Sequence, residues 1–504
     1  MSKKIVVIID VMSIQKYVYA SNKLKENLGA SSIIKGLFQE EIKTPYDECF
    51  KSALNKGYEG GGNAVLIFDD IDENPVKDTI KEFTLHVLER YPCLDLSIGI
   101  YSDFDGSDLN KAYEELQKSK NRFIPVTNVS SHGITAECNR TGLSAETYYS
   151  SDSEDSYISY SSYVKLKKVN EIKSNSGADS MQIILKDSGL DDEYCFTDEL
   201  EKLGSKKGED SHIAFVAIDG NSISDIFMNK TLEEKQELSK TLREAVEKSF
   251  IGLLKIIKNE FKEISNELSI KSKGGKIVLP IRPIILGGDD VSFVCEGSMG
   301  IYFAYIFLKL FEKQEVSDGQ PLSSSAGVAI AHSKYPIYRI QKIAEELLSG
   351  AKDKRKSEKE TGSYVDFQMF YGGIFGELGE IRKNHYENRY GKMYMRPYNI
   401  ENLEKLMKPL GEMRGLAESK IKELRTVLNK TKSERGNFME HMKMRHKTTG
   451  DSDSGAKSFL IPHEILDKHY TEDFYDKGET PYLDLIELLE ILPEYVIKRG
   501  SLYD

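Results

Sequence analysis

An internal repeat constrains the fold more than any other feature of the sequence. "VVIIDVMSIQKYV" at 6–18 resembles "FVAIDGNSISDIF" at 215–227, because each apolar run ends in aspartate and reaches Ser-Ile three residues later. "GGNAVLIF" from Gly61, "LSIGIYS" around Gly99 and "AYEELQKSK" ending at Lys120 have counterparts in "GGDDVSFV", "SSAGVAIA" and "AEELLSGAK". These four pairs occur in the same order, which predicts two copies of one domain.

Each copy reads as strand, helix, strand, hairpin turn, strand and helix. The apolar, β-branched runs at 6–9 and 213–218 are typical of buried strands. In the second copy, apolar residues recur every three or four positions from Leu238 to Ile257, which predicts one face of a long helix. Alternating elements around a central hairpin favour a ferredoxin-like sandwich, so we expect an α+β protein that uses this domain twice.

Changes in amino-acid composition mark the segments outside the two copies. The stretch Tyr148–Tyr163 is rich in serine, aspartate and tyrosine, which predicts a mobile linker between the copies. Long polar helices follow the second copy, and 448–458 is a second segment of flexible composition. The predicted domains are a first copy at 1–125, an inter-copy segment at 126–210, a second copy at 211–370 and a C-terminal helical domain at 371–504.

Charge and cysteine content narrow the functional classes. A net charge of −12 disfavours nonspecific binding to nucleic acid. No apolar run approaches the roughly 18 residues of a membrane span, so no membrane contact is expected. The N-terminal apolar run contains Asp10 and therefore reads as a strand rather than a signal peptide. Five scattered cysteines without a CxxC pair indicate a cytoplasmic protein.

Three aspartates of the second copy are predicted to meet at one end of the sheet. Asp219 ends the first strand, while Asp289 and Asp290 occupy the hairpin turn of a neighbouring strand. Like charges so close raise one another's pKa, and a divalent cation such as Mg²⁺ offsets the repulsion. Two such ions can activate a hydroxyl and stabilise a leaving pyrophosphate, while the hairpin glycines let a phosphate approach. Lys352 follows a predicted helix and could reach a triphosphate, which suits phosphoryl transfer.

The alternative interpretation of Gly-Gly-Asp-Asp is an ordinary turn, since both residue types favour turns. The first copy argues against it, because Gly62 and Asn63 stand where the second copy has the two hairpin aspartates. The second copy therefore looks catalytic and the first looks degenerate. The first copy keeps Asp10 and Lys120, which either hold a nucleotide or serve as a strand cap and a solvated lysine.

The residues resemble a known family. "AIDGNSIS", "RPIILGGDDVSFVCEG", "DVMSIQKYVYASNKLKENLGASSIIKGL", "AECNRTGLSAE" and "RPYNIENLEKLM" are similar to segments of the type III CRISPR polymerase/cyclase large subunit. The resemblance covers roughly 1–410, and its two copies are palm domains in that family. The likeness to GGDEF diguanylate cyclases is more distant.

The resemblance implies two Mg²⁺ or Mn²⁺ ions and ATP as the substrate, bound between the palms. A ribose 3′-hydroxyl attacks an α-phosphate and gives cyclic or linear oligoadenylates, which implies a role in antiviral signalling. The implied catalytic and metal-binding residues are Asp219, Asp289 and Asp290, with the backbone carbonyl of Gly220 as a further metal ligand. The implied nucleotide-binding residues are Asn221, Gly287, Gly288 and Lys352, with Ser31 and Asn63 from the first palm.

The sequence also departs from the family's pattern. No histidine is followed by aspartate, so the HD nuclease of many family members is not expected and the chain reads as a stand-alone form. The inter-palm segment has only Cys138, which disfavours a zinc site. A silent large subunit of an RNA-guided complex and a nucleotide-binding module without turnover stay open as alternatives. An RNA or protein activator and a homodimer are likewise left open.

A basic cluster lies after the second copy. It could contact nucleic acid, but a solvated helix face is favoured, because glutamates are frequent in the same region. It consists of Arg382, Lys383, Arg389, Lys392 and Arg396, together with "MKMRHK" at 442–447.

Overall fold

The computed structural model describes residues 4–38, 47–105, 109–122, 136–151, 154–174, 180–228, 230–370, 376–448 and 461–503. The strands are β1 Lys4–Val11, β2 Tyr58–Gly60, β3 Asn63–Asp69, β4 Leu96–Phe104, β5 Thr147–Ser151, β6 Glu154–Ile158, β7 Tyr194–Cys195, β8 His212–Gly220, β9 Ser272–Lys273, β10 Lys276–Val278, β11 Ile281–Gly287, β12 Asp290–Glu296, β13 Ser324–His332, β14 Tyr364–Met369, β15 Glu387–Asn388, β16 Gly391–Lys392, β17 Tyr398–Asn399, β18 Glu464–Ile465 and β19 Lys468–His469. The helices are α1 Ile14–Val18, α2 Leu24–Gly36, α3 Asp47–Lys56, α4 Glu73–Arg90, α5 Asn110–Arg122, α6 Tyr160–Ser174, α7 Ser180–Asp187, α8 Ile223–Phe227, α9 Leu232–Asn259, α10 Phe261–Glu267, α11 Gly300–Glu312, α12 Ile337–Glu358, α13 Leu378–His385, α14 Ile400–Lys405, α15 Met407–Met413, α16 Glu418–Val427, α17 Lys432–Thr448, α18 Tyr482–Ile491 and α19 Glu494–Arg499.

The two sheets confirm the predicted ferredoxin-like repeat. The first copy has the strand order β2-β3-β1-β4, and the second has β11-β12-β8-β13 with the same antiparallel pairings. The second sheet continues through β14 and β17, and β17 lies beyond the predicted domain boundary at residue 370. An α+β fold built on this duplicated domain is therefore correct, with C-terminal residues completing the larger sheet.

The repeat extends to the register of the strands. Ile8 pairs with Gly99 in the first copy, and Ala217 pairs with Gly327 in the second. A Cβ on either glycine would lie 2.5 Å from a backbone nitrogen of the helix above, that of Leu116 in α5 or of Leu348 in α12. The glycine is required because the helix backbone presses directly on the strand.

The two copies pack hairpin against hairpin and share one core. A Cβ on Gly288 of the second hairpin would lie 3.7 Å from the backbone nitrogen of Gly61 in the first. The Tyr19 hydroxyl and the Ser292 hydroxyl lie 2.6 Å apart in a buried hydrogen bond, and the Tyr19 ring meets Phe215 edge-on at 5.2 Å. The relative placement of the copies is therefore set by specific contacts as well as by apolar burial.

The structure corrects the prediction of a mobile linker at Tyr148–Tyr163. Most of this stretch forms the β5–β6 hairpin and the start of α6, and Tyr149 and Ile158 are buried against Cys138. The composition was misleading because polar residues alternate with buried ones, which is the period of a strand. The other predicted flexible segment, 448–458, lies outside the described residues apart from Thr448.

The C-terminal region is mostly helical, as predicted, and docks on the second copy. The structure corrects the interpretation of two members of the basic cluster, because Arg382 and Arg396 are buried in ion pairs. Arg382 donates to both oxygens of Asp366 at 2.9 and 2.6 Å, and Arg396 Nη1 lies 2.6 Å from Glu487 Oε2. These two arginines neither face solvent nor are available to nucleic acid. Three further members, Lys383, Arg389 and Lys392, are exposed.

The described helices were also compared with the requirements of a membrane span, and none of them is long and apolar enough to cross a bilayer.

Candidate active site between the two repeats

The loop after β8 brings its aspartate close to the second hairpin. Ser222, three residues after Asp219, adopts a left-handed conformation with φ 55°, as Ser13 does at the equivalent place in the first copy with φ 51°. A Cβ on Gly220 would lie 2.9 Å from Asp289 Cβ and 2.5 Å from Ile223 Cγ1. Only glycine fits at this position, and its absent side chain lets the hairpin turn approach the strand end.

Three carboxylates share this end of the sheet, and their ionisation is perturbed. Burial raises the pKa of Asp289 to about 6, with the charge of Asp219 as the second cause. Burial raises the pKa of Asp290 to about 7, although its side chain is open to a cavity, and the charges of Asp219, Asp289 and Glu345 add to the effect. The site therefore has a strong affinity for positive charge.

Lys352 of α12 supplies one positive charge, because its ammonium group forms an ion pair with Asp219. Within the part of the chain that the structure describes, no group of three or more histidine, cysteine, aspartate or glutamate side chains is arranged to hold a metal ion. The donor chemistry nevertheless fits Mg²⁺ or Mn²⁺, which prefer carboxylate and carbonyl oxygens. A bound ion would take over the role of the lysine beside Asp219.

A cavity of about 570 Å³ opens beside the acids and lies between the repeats. The first copy contributes α1, α2 and its hairpin, and the second contributes β8, the β11–β12 hairpin and α12. Residues of α6, α7 and β7 from the inter-copy segment close the far side. This volume is in the range of sites for small molecules and cofactors.

The predicted site residues occupy different positions around this cavity. Those that line it are Asp219, Asp290, Gly287, Gly288 and Ser31. Ser31 also donates a 2.5 Å hydrogen bond to the Ile284 carbonyl across the interface. Asp289 lies in the turn next to the lining residues, and Lys352 is not among the lining residues but pairs with Asp219.

Two predicted nucleotide contacts lie away from the cavity wall. Asn221 is buried, donates to Ser323 Oγ at 3.2 Å and accepts a 2.8 Å hydrogen bond from Ser325 Oγ. These bonds tie the loop after β8 to the neighbouring strand. Asn63 is exposed at the start of β3. The roles of both residues in nucleotide binding stay predictions.

The sequence analysis missed a polar network that joins the two copies at the cavity. Glu345 Oε1 accepts a 2.8 Å hydrogen bond from Gln15 Nε2, and Gln341 Nε2 donates to Gln15 Oε1 at 3.0 Å. Burial raises the pKa of the Glu345 carboxyl. One signal was present in the sequence, since Glu345 lies seven residues before Lys352 and therefore on the same face of a helix.

Comparison with known proteins identifies the second copy. The family model "Cas10/Cmr2, second palm domain" matches residues 212–361. No curated protein matches the chain in sequence.

Solved structures resemble the chain over almost its whole length. A Csm1-Csm4 cassette in complex with cA4 matches with a TM-score of 0.52 and 14% identity, covering 99% of this chain and 69% of that one. The same cassette in complex with pppApA has a TM-score of 0.51, 14% identity and the same coverages. In complex with one ATP it has a TM-score of 0.51 and 14% identity, covering 99% and 70%. At this identity the likeness shows the fold.

Three findings are consistent with one another. The family model matches the second copy, the preceding copy has the same fold, and the structural match spans almost the whole chain. Residues 212–361 match the model of a Cas10/Cmr2 second palm domain, and almost the whole chain shares its fold with the Csm1-Csm4 structures.

Proposed function

We propose that this protein is a nucleotidyltransferase that joins ATP into cyclic or linear oligoadenylates and acts in antiviral signalling in the cytoplasm. The observation that carries the proposal is the convergence of Asp219, Asp289 and Asp290 beside a cavity between two palm domains. The solved cassettes that share this fold contain cA4, pppApA or ATP, which supports a nucleotide as the occupant.

The three aspartates and the Gly220 carbonyl would hold two divalent ions. Bound there, such ions activate an attacking hydroxyl and stabilise a leaving pyrophosphate. Gly287 and Gly288 leave room for phosphate oxygens at the hairpin, since neither has a side chain. The first palm forms the opposite wall of the cavity.

The test is to incubate the purified full chain with ATP and Mn²⁺ and to resolve the products by mass spectrometry. We expect oligoadenylates from the wild type and none from Asp289→Ala/Asp290→Ala. Asp103→Ala is the matched control, because Asp103 is an exposed carboxylate on the first palm. It should leave product formation unchanged.

Product from the double variant would show that the hairpin acids are not catalytic. Tight ATP binding by the wild type without pyrophosphate release would favour a binding module instead.

A second candidate function is that of a large subunit that works only inside a complex. The observation that favours it is that the similar solved chains are in a cassette with a second protein, Csm4. Co-purification of RNA or of a partner chain from the native host, with product formed only by that complex, would support it. Full activity of the isolated chain would exclude it.

A further inference from the structure

A carboxylate of the second palm is held at the cavity by the first palm. Glu345 lines the cavity beside Asp219 and Asp290, and its charge contributes to the raised pKa of Asp290. Gln15 of the first palm donates to Glu345 Oε1 at 2.8 Å, while Gln341 also reaches that oxygen at 3.4 Å. Both amide donors therefore fix one oxygen of the carboxylate.

The second oxygen of Glu345 has a different environment. Among the hydrogen bonds of the described residues, Oε2 accepts none, and it is not buried away from solvent. A carboxylate oxygen that is fixed in place and open to a cavity can accept a hydrogen bond from a ligand. A bond of this kind to a charged acceptor is stronger than one between neutral groups.

The position of Glu345 beside the aspartates indicates which group of a bound nucleotide it would contact. The phosphates are expected at the hairpin, next to the aspartates and any bound ions, and a further carboxylate repels them. The ribose is bonded to the α-phosphate and therefore lies nearer the aspartates than the base does. A side chain next to the aspartates, such as Glu345, is thus closer to the ribose than to the base. Ribose hydroxyls are donors, which matches the acceptor that Glu345 offers. The 3′-hydroxyl must stay free to react, which leaves the 2′-hydroxyl for a fixed contact.

We propose that Glu345, positioned by Gln15 across the palm interface, binds the 2′-hydroxyl of the nucleotide and selects ribonucleotides over 2′-deoxyribonucleotides. This inference rests on the proposed function and assigns sugar specificity to its site. It gives the first palm a role in substrate choice, although that palm has no hairpin acids.

The test measures binding without turnover. Dissociation constants are determined by calorimetry with Mg²⁺ for α,β-methylene-ATP and its 2′-deoxy form, whose bridging carbon blocks release of pyrophosphate. We expect the wild type to prefer the ribose form by roughly tenfold to a hundredfold, as for a charge-assisted hydrogen bond. Glu345→Ala should reduce the preference to within about threefold by weakening only the ribose form.

Two further variants separate specificity from folding. Glu345→Gln keeps an acceptor oxygen and should retain part of the preference, and Gln15→Leu should lose part of it. Asp353→Asn is the matched control, because it removes an exposed carboxylate from the same helix and should keep the wild-type preference.

Three other outcomes would contradict the inference, and each identifies which part of it is wrong. Equal binding of both analogues by the wild type overturns sugar selection but leaves nucleotide binding intact. If Glu345→Ala weakens both analogues equally, Glu345 has only a structural role. If the wild type binds neither analogue, the proposed function fails together with the inference.

Discussion

The two palms have the same framework and differ at their hairpins. Each has an aspartate one residue before the end of a strand and a left-handed serine three residues after that aspartate. In each a lysine pairs with the aspartate, at a Lys120–Asp10 distance of 2.5 Å in the first palm. The difference is Gly62-Asn63 in the first hairpin and Asp289-Asp290 in the second. The aspartate–lysine pair is therefore common to both palms, whereas acids in the hairpin turn beside the cavity occur only in the second.

The largest expected effect comes from giving the second hairpin the sequence of the first. Asp289→Gly/Asp290→Asn should lower product formation by at least roughly a thousandfold, because two of the three proposed metal ligands are lost. The free energy of unfolding should stay the same or rise, since both replaced acids have a raised pKa. Mass spectrometry of products and chemical denaturation measure the two effects.

The reciprocal change sharpens the comparison. Gly62→Asp/Asn63→Asp should give no second active site and should destabilise the first palm. Gly62 has φ 84°, and a Cβ there would collide with the Ile14 side chain. Product formation by this variant in the Asp289→Gly/Asp290→Asn background would contradict the assignment of chemistry to the second palm.

Substitution of the two paired lysines should have the same effect on stability but different effects on product formation. Lys352→Met and Lys120→Met should each cost about 0.5–1 kcal/mol of unfolding free energy, because both ion pairs are partly exposed. Only Lys352→Met should slow product formation, by about tenfold, because a bound ion replaces the lysine beside Asp219 and the released ammonium group is then missing beside the triphosphate. Equal rates for the two variants would show that the lysine has only a structural role in both palms.

The paired glycines should behave alike. Gly99→Ala and Gly327→Ala each place a Cβ 2.5 Å from a helix backbone nitrogen, so both should lower the free energy of unfolding by about 2–3 kcal/mol. Gly411→Ala is the control, because a Cβ there has open space. A loss at only one of the paired positions would mean that the repeat is less regular than its registers indicate.

A small expected effect is a pH dependence of stability that only the second hairpin confers. Because the pKa values of Asp289 and Asp290 are raised to about 6 and about 7, the folded state binds more protons than the unfolded state between about pH 4 and pH 7. Stability should therefore fall as the pH rises through this window. Solvent in the cavity screens Asp290, so we expect a loss of only about 1 kcal/mol.

Denaturation in the presence of a chelator measures this effect at pH 5 and pH 8. Asp289→Asn/Asp290→Asn should gain stability relative to the wild type at pH 8 and little at pH 5. Asp353→Asn should follow the wild type at both pH values. A double variant that tracks the wild type would show that these carboxyls ionise normally in the folded protein.

Local pattern predicted much of this structure. The repeat, both hairpins and the meeting of Asp219 with the hairpin acids follow from strand and turn signals that lie within short stretches of sequence. The match between "AYEELQKSK" and "AEELLSGAK" placed Lys120 and Lys352 at equivalent positions, although their pairing with aspartates was not foreseen.

Contacts across long sequence separations were not predictable from one sequence. Gln15 meets Glu345 across 330 positions. Each lies in a segment of the repeat, but nothing in either segment indicates the other as its partner. Arg396 resembled a surface charge because its partner Glu487 is 91 residues away on α18, a helix that is buried almost all round. The β5–β6 hairpin was missed because its polar composition outweighed its alternation.

The hairpin-to-hairpin contact between Gly61 and Gly288 also bears on assembly. Subunits of symmetric dimers meet in this way, each presenting the same patch to the other. Here both partners are tandem halves of one polypeptide, so the molecule is in effect an internal dimer whose halves have diverged. Within the described residues, both walls of the cavity come from this one polypeptide.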